Sequence, residues 1–261
     1  MSHEPSTVLQ GGRVVTADGE YDADVLIAGE RIAAVGSIDP PAGANVVDAS
    51  GCLVLPGLID NHTHLSMPFM GMWSSDDYDT GTQAAAAGGV TCIVDFAIQR
   101  EPDQLRSALE EWQDRAAGAA HIDYGFHMAI TNANEPTIDD MQAIVEAGVS
   151  SFKLFMAYKG ELMTRDDAMT AVLERARDLD ALTMVHAENG DVVDLLVKRA
   201  LARGDTAAVD HALTRPEFVE AEATSRAASD STSRARSRRA RTPTSRSSTR
   251  PRRARTASPP R

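Results

Sequence analysis

The chain has little of what staples, anchors or exports a protein. It holds two cysteines, Cys52 and Cys92, in 261 residues. Both lie in strand-like apolar runs, so no disulfide framework is expected, and buried thiols in a reducing cytosol are. No apolar run approaches the ~18 residues that a membrane helix needs. The opening MSHEPSTVLQ has neither a basic n-region nor an apolar h-region. These absences argue against a span and a secretory leader, and a cytoplasmic location is expected. The sharpest absence is local. Residues 228–261 contain no Val, Ile, Leu, Met, Phe, Tyr or Trp, only Ala, Ser, Arg, Thr, Pro and a single Asp. Such a segment buries too little apolar surface to offset its ordering entropy and is expected to be a disordered basic tail.

Charge divides at nearly the same place. Residues 1–225 carry −23 and residues 226–261 carry +11, together the chain's −12. Arginines of the second stretch can engage phosphates in a salt-dependent way. The stretch has no aromatic side chains for base stacking, however, and an acidic body repels nucleic acid. Nucleic acid is therefore not the expected partner. RPEFVEAEATSRA runs up to the break, and the composition then changes within a few residues. We read the residues after about Ala227 as translated out of frame, because a GC-rich gene in the wrong frame yields Arg, Ala, Ser, Pro and Thr. Translating the other two frames from that point should restore a strand carrying histidine and, later, an aspartate.

What is present has the patterning of a folded α/β protein. Hydrophobic residues make up 43% of the chain. TVLQGGRVV, DVLIAGERIAAVG and ANVVDASGCLVL mix β-branched residues with turn signals, which predicts a small domain of β-hairpins over residues 1–54. From residue 53 the period changes. LVLPGLID, VTCIVDFA, IDYGFHMAI, SSFKLFMAY and LTMVHAE are apolar on both faces, as in a parallel sheet covered by helices. Between them, Leu105, Leu109 and Trp112 recur at helical spacing, as do Met169, Val172, Leu173 and Ala176. Thr137 with Asp140, and Thr164 with Asp167, resemble capping boxes at helix starts. Alternating β and α predicts a (β/α)₈ barrel, of which residues 55–227 supply about five βα units. A five-stranded open, doubly wound sheet is the rival. It ranks lower because polar residues recur at the carboxyl ends of the strands, where barrels place their sites. With units missing, apolar strand edges would be exposed.

Those strand ends carry the candidate chemistry. LVLPGLIDNHTHL ends in His62 and His64, one residue apart. Residues i and i+2 of a strand share a face, so two imidazoles can reach one point, and neutral imidazole suits a transition metal. His127, Lys153 and His186 follow on later strands. His186, in MVHAEN, is a further candidate ligand, against the alternative of a hydrogen-bonded core histidine. Lys153 sits among apolar neighbours in SFKLFMA. A buried lysine loses its charge through desolvation, and a neutral amine can condense with carbon dioxide to a carbamate. On the residues alone, a lysine snorkelling to water or pairing with an acid is the simpler account.

Five motifs taken together shift that balance. LVLPGLIDNHTHL, MPFMGMWSSDDYDTGTQAAAAGGVTCIVDFAIQ, DYGFHMAIT, SSFKLFMAYKG and TMVHAENGDVVD resemble the dihydropyrimidinase and D-hydantoinase family of the amidohydrolase superfamily, in the family's order and from about residue 7 to Ala227. The resemblance implies a partial barrel preceded by part of a small β-sandwich domain. It implies two divalent metal ions, zinc in this family, with carbon dioxide held as a carbamate on Lys153. His62 and His64 correspond to ligands of the more buried ion, Lys153 to the bridge, and His186 to a ligand of the more exposed ion. Tyr158 corresponds to a tyrosine that binds the substrate carbonyl and steadies its oxyanion. Met67, Phe69 and Met70 would lie over the substrate's exocyclic group. Asp60 and His127 receive no ligand role, and His3, His121 and His211 are read as solvated. The implied reaction is ring opening of 5,6-dihydropyrimidines or 5-substituted hydantoins to N-carbamoyl amino acids. Full-length relatives are homo-oligomers.

Ser66 stands two residues past His64, where dihydroorotases and allantoinases carry Arg or Asn. A small uncharged cyclic amide is therefore favoured, with an allantoinase-like hydrolase or a non-catalytic relative as alternatives. The family also uses a further histidine and an aspartate from later strands. The last histidine here is His211, and the only later aspartate is Asp230 in the basic tail. The chain is therefore expected to be a truncated copy with low or no turnover.

Overall fold

A computed structural model describes residues 6–69, 71–100 and 104–239, with side chains described to residue 228. His3 and Met70 lie outside the described residues. The chain divides into two compact units, residues 1–97 with 110–126, and residues 98–109 with 127–261. The boundary expected at residue 54 falls inside the first unit.

The first unit opens with β1 (Ser6–Thr16), β2 (Gly19–Ala28), β3 (Arg31–Gly36), β4 (Asn45–Asp48) and β5 (Leu53–Val54). They form one sheet in the order β3-β2-β1-β4, with β5 also on β1. The hairpins β1-β2 and β2-β3 are antiparallel, whereas β4 and β5 run parallel to β1. Val8, Val14 and Val25 are buried on it.

Next come β6 (Leu58–Thr63), the short hairpin β7 (Pro68–Phe69) with β8 (Met72–Trp73), α1 (Tyr78–Ala87) and β9 (Val90–Ile98). The run LVLPGLID, expected as one strand, is two strands in two sheets. The break is Pro56-Gly57. Proline offers no N–H to a ladder, and a Cβ on Gly57 would stand 2.1 Å from the Thr91 hydroxyl. Asp77 caps α1, accepting from the Thr80 N–H at 2.8 Å in a capping box.

The remaining elements are α2 (Leu105–Ala116), β10 (Asp123–Ala129), α3 (Glu135–Glu146), β11 (Ser151–Phe155), α4 (Asp166–Asp178), β12 (Leu182–His186), α5 (Gly190–Arg203), α6 (Ala208–Leu213) and α7 (Glu217–Arg239). The larger sheet has the order β12-β11-β10-β9-β6. Each strand lies beside its sequence neighbour and the order never reverses. A doubly wound sheet reverses at a switch point, whereas a barrel proceeds round in sequence. The architecture is that of a partial (β/α)₈ barrel of five βα units.

Burial follows the helical spacing. Leu105, Leu109, Trp112, Met169, Val172 and Ala176 are buried, and Leu173 is half-buried. Four expectations are corrected. β6 is not apolar-buried on both faces, because it ends the strand order, leaving Leu58 and Ile59 54% and 67% exposed. Cys52 is an exposed free thiol in the turn before β5, and Cys92 is half-buried and free. The cap of α3 is Asn134, which accepts from the Thr137 N–H, while Asp140 pairs with Arg106. The cap of α4 is Arg165, without a side-chain bond, while the Thr164 hydroxyl donates to the Ile130 carbonyl. α7 also runs to Arg239, into the stretch expected to be disordered. Ala and Arg are strong helix formers, and no proline intervenes before Pro243. Residues 240–261 lie outside the described residues.

Candidate metal centre

In the first unit, β6 delivers His62 and His64 to its carboxyl end. Their rings meet edge to face, with centroids 5.2 Å apart. Both pack on Phe96, at 4.7 and 5.0 Å. The His62 N–H donates to Asp60 Oδ1 at 3.1 Å, so Asp60 serves the backbone of β6 near its carboxyl end. The following residues are fastened from beneath by Asp95. This fully buried carboxylate accepts from the Leu65 N–H at 3.1 Å, the Phe96 N–H at 2.7 Å and the Tyr78 hydroxyl at 2.7 Å. Desolvation pushes its pKa up to about 6, against the pull of those three donors. Burial and Asp95 together push Tyr78 up, so its hydroxyl stays a donor. Ser66 is held at φ 47°, a left-handed conformation uncommon for serine. Its N–H donates to the Asp76 carbonyl at 3.0 Å, and its carbonyl accepts from Arg115 at 2.8 Å.

In the second unit, β11 and β12 pair in parallel, with Phe155 opposite His186. Lys153 and Phe155, two apart on β11, share a face. The Lys153 ammonium lies 5.5 Å from the Phe155 ring centroid. Lys153 is only 8% exposed. Desolvation lowers its pKa, which favours the neutral amine. Lys153, His186, Glu188, Glu220 and Thr224 line one pocket of ≈ 540 Å³. Tyr158 follows β11 at φ 63°, and its ring stands 5.0 Å from that of His186. Burial, then the nearby Glu188, raises its pKa and keeps the phenol protonated. His186 Nε2 pairs with Glu188 Oε2 at 2.9 Å, and Arg215 Nε approaches Glu188 Oε1 at 3.9 Å.

The structure thus brings His62 to His64 in one unit, and Lys153 to His186 and Tyr158 in the other. The donor chemistry fits divalent metal ions: paired imidazoles on one strand, and a desolvated amine suited to carbamate formation in one pocket with a third imidazole. Among the described residues, no group of three or more His, Cys, Asp or Glu is placed to hold a metal ion. Met67 and Phe69 are half-buried, on and beside the short hairpin. His127 Nδ1 meets Ser151 Oγ at 2.5 Å, so it is a hydrogen-bonded strand histidine. His121 is exposed, with its Nε2 2.6 Å from Asp79 Oδ1, and His211 is exposed on α6, where Arg215 contacts it.

Several residues around the site were not foreseen. Asp95 is an acid inside the apolar run VTCIVDFAI, and such an acid needs buried donors. Glu188 is two residues past His186, close enough to share its side of the strand end. Arg215 lies far along the chain and leaves no local signal.

Comparison with known proteins identifies the family. Residues 53–218 match the sequence model of the amidohydrolase family. The chain is 47% identical to a D-hydantoinase of Geobacillus stearothermophilus, over 84% of this chain and 47% of that protein. It is 43% identical to a dihydropyrimidinase of Rattus norvegicus, over 87% of this chain and 45% of that protein. Among solved structures, it resembles D-hydantoinase from Bacillus sp. AR9 with a TM-score of 0.83 and 48% identity, covering 86% of this chain and 49% of that one. Dihydropyrimidinase from Brevibacillus agri gives a TM-score of 0.84 at the same identity and coverage. The chain spans about half the length of these relatives. No helix among the described residues is long and apolar enough to cross a membrane.

Proposed function

The chain belongs to the amidohydrolase family, and from that premise we propose that it carries metal-binding and substrate-binding residues of a cyclic-amide hydrolase. The substrates would be small uncharged rings of the hydantoin or dihydropyrimidine type, opened to N-carbamoyl amino acids. The observation that carries this reading is Lys153, 8% exposed and with its ammonium form disfavoured, in one pocket with His186.

The residues that would hold the ions are His62 and His64 in the first unit, and Lys153 and His186 in the second. For Lys153 to become an anionic ligand, its neutral nitrogen attacks the carbon of carbon dioxide, and one C=O bonding pair moves onto oxygen. An N–C bond forms, a proton leaves the nitrogen for solvent, and the side chain becomes an anionic carbamate with two donor oxygens. When bound, a pair of divalent ions supplies a water-derived nucleophile at neutral pH and polarises the ring carbonyl. Tyr158, kept protonated by burial, would donate its phenol proton in a hydrogen bond to the carbonyl oxygen as negative charge develops there. The apolar stretch at Met67 and Phe69 would exclude water from the ring substituent, and Ser66 offers no cation to a substrate carboxylate.

The test is ring opening of 5,6-dihydrouracil and a 5-substituted hydantoin by the zinc-loaded chain, set beside metal analysis. Zinc retained by the wild type and reduced by His64→Ala or His186→Ala is expected. Zinc content unchanged by both substitutions would overturn the assignment.

A further inference from the structure

We infer that Glu188 is a positioning residue, which fixes the tautomer of His186 and leaves Nδ1 as the nitrogen offered to a metal. The inference rests on the reading of His186 as a ligand. Among the described residues, the one hydrogen-bond partner of the His186 ring is Glu188, and it engages Nε2 at 2.9 Å. Neutral imidazole has one donor nitrogen and one acceptor nitrogen. A carboxylate can only accept, so the proton sits on Nε2 and the lone pair on Nδ1. Metal-binding histidines commonly donate their other N–H to a carboxylate, which fixes the ring and strengthens the ligand.

The carboxylate is itself held. Arg215 Nε lies 3.9 Å from Glu188 Oε1. The Arg215 guanidinium is tied in turn to the His211 carbonyl at 3.0 Å and the Thr214 hydroxyl at 3.2 Å. The backbone of the loop is pinned on both sides. The Gly190 N–H donates to the Met156 carbonyl at 3.0 Å, and the Asn189 N–H to the Val219 carbonyl at 3.0 Å. A Cβ on Gly190 would stand 2.7 Å from the Met156 oxygen, so only glycine lets the loop sit this close to the chain after β11. Asn189 then caps α5 by accepting from the Val192 N–H at 3.1 Å. Glu188 is therefore placed by a helix cap, a glycine contact and an arginine, all independent of the metal. The ring contacts of His186 with Tyr158 and Phe155, at 5.0 and 6.3 Å, fix its plane.

The experiment is a long-range proton–nitrogen NMR spectrum of the metal-free, ¹⁵N-labelled full chain, at a pH where the ring is neutral. His186 is assigned by its loss in His186→Asn. The expected result is a proton on Nε2 in the wild type and in Glu188→Gln, whose amide oxygen still accepts, and a mixture of tautomers in Glu188→Ala. Competition with a chromogenic zinc chelator should show affinity falling about 10–100-fold in Glu188→Ala and recovering in Glu188→Gln. A wild-type ring protonated on Nδ1 overturns the inference, whatever the variants do. So does a tautomer that Glu188→Ala leaves unchanged. Zinc binding unaffected by His186→Ala would instead overturn the ligand reading, so the two failures are distinguishable.

Discussion

Each unit buries an ionisable side chain near candidate ligands, and desolvation pushes both towards the neutral form, but the two are set in different surroundings. In the first unit Asp95 is fully buried but receives three hydrogen bonds, from two backbone N–H groups and Tyr78. Its donors offset part of the desolvation, and the group holds the backbone after the histidine pair in place. In the second unit desolvation lowers the Lys153 pKa, and that carries the amine towards its neutral, reactive form. Asp95 is tied to the backbone and serves architecture, whereas Lys153, in one pocket with His186, is placed for chemistry. Substitutions at Asp95 and the groups around it should therefore change stability, and those around Lys153 should change metal binding and turnover.

The largest expected effect lies in the first unit. Trp112 is fully buried on α2, with the Arg115 guanidinium 4.2 Å from its ring centroid. Trp112→Ala should lower unfolding free energy by about 3–5 kcal/mol in urea titration. A loss near that of an exposed residue would break the comparison. Next is Tyr158 in the second unit. Tyr158→Phe should leave the urea midpoint unchanged, and should lower kcat for hydantoin opening by the zinc-loaded chain about 10²–10³-fold, whatever the wild-type rate. A matching loss of stability would mean that the phenol is structural.

Asp95 gives a pH signature. Its folded pKa, about 6, lies above the ordinary value of 3.8. The folded state therefore binds the proton more tightly than the unfolded state does. The resulting stability is fully present below pH ~4 and is lost as pH rises through ~6, by at most roughly 3 kcal/mol. Asp95→Asn should flatten that part of the pH–stability curve. The smallest effect is Gly57→Ala, whose new methyl would meet the Thr91 side chain. A loss of about 1–3 kcal/mol is expected, recovered in part by Thr91→Ala.

Much of this was legible in the sequence for particular reasons. The change from period 2 to alternating strands and helices marks the five βα units, because burial on both faces and helical stripes leave periodic signals. The spacing of His62 and His64 translates directly into ring contact. The break at Pro56-Gly57 was present in the residues but hidden inside an apolar run that reads as one strand. The exposure of β6 depends on its place in the strand order, which no local pattern encodes. The cap of α3 lies three residues earlier because Asn134 takes the Thr137 N–H, and the cap of α4 one residue later because the Thr164 hydroxyl donates instead to the Ile130 carbonyl. Glu188 and Arg215 assemble around His186 only through tertiary structure.

The central claim is that Lys153 is a desolvated, reactive amine and not a structural cation. Intact mass spectrometry of the native chain prepared with zinc and bicarbonate tests it most directly. The wild type should carry the added mass of one carbon dioxide, lost on acidification and absent in Lys153→Met, while Lys153→Met folds with equal or greater stability. An unmodified wild type under those conditions, or a Lys153→Met variant that retains the added mass, would contradict the account.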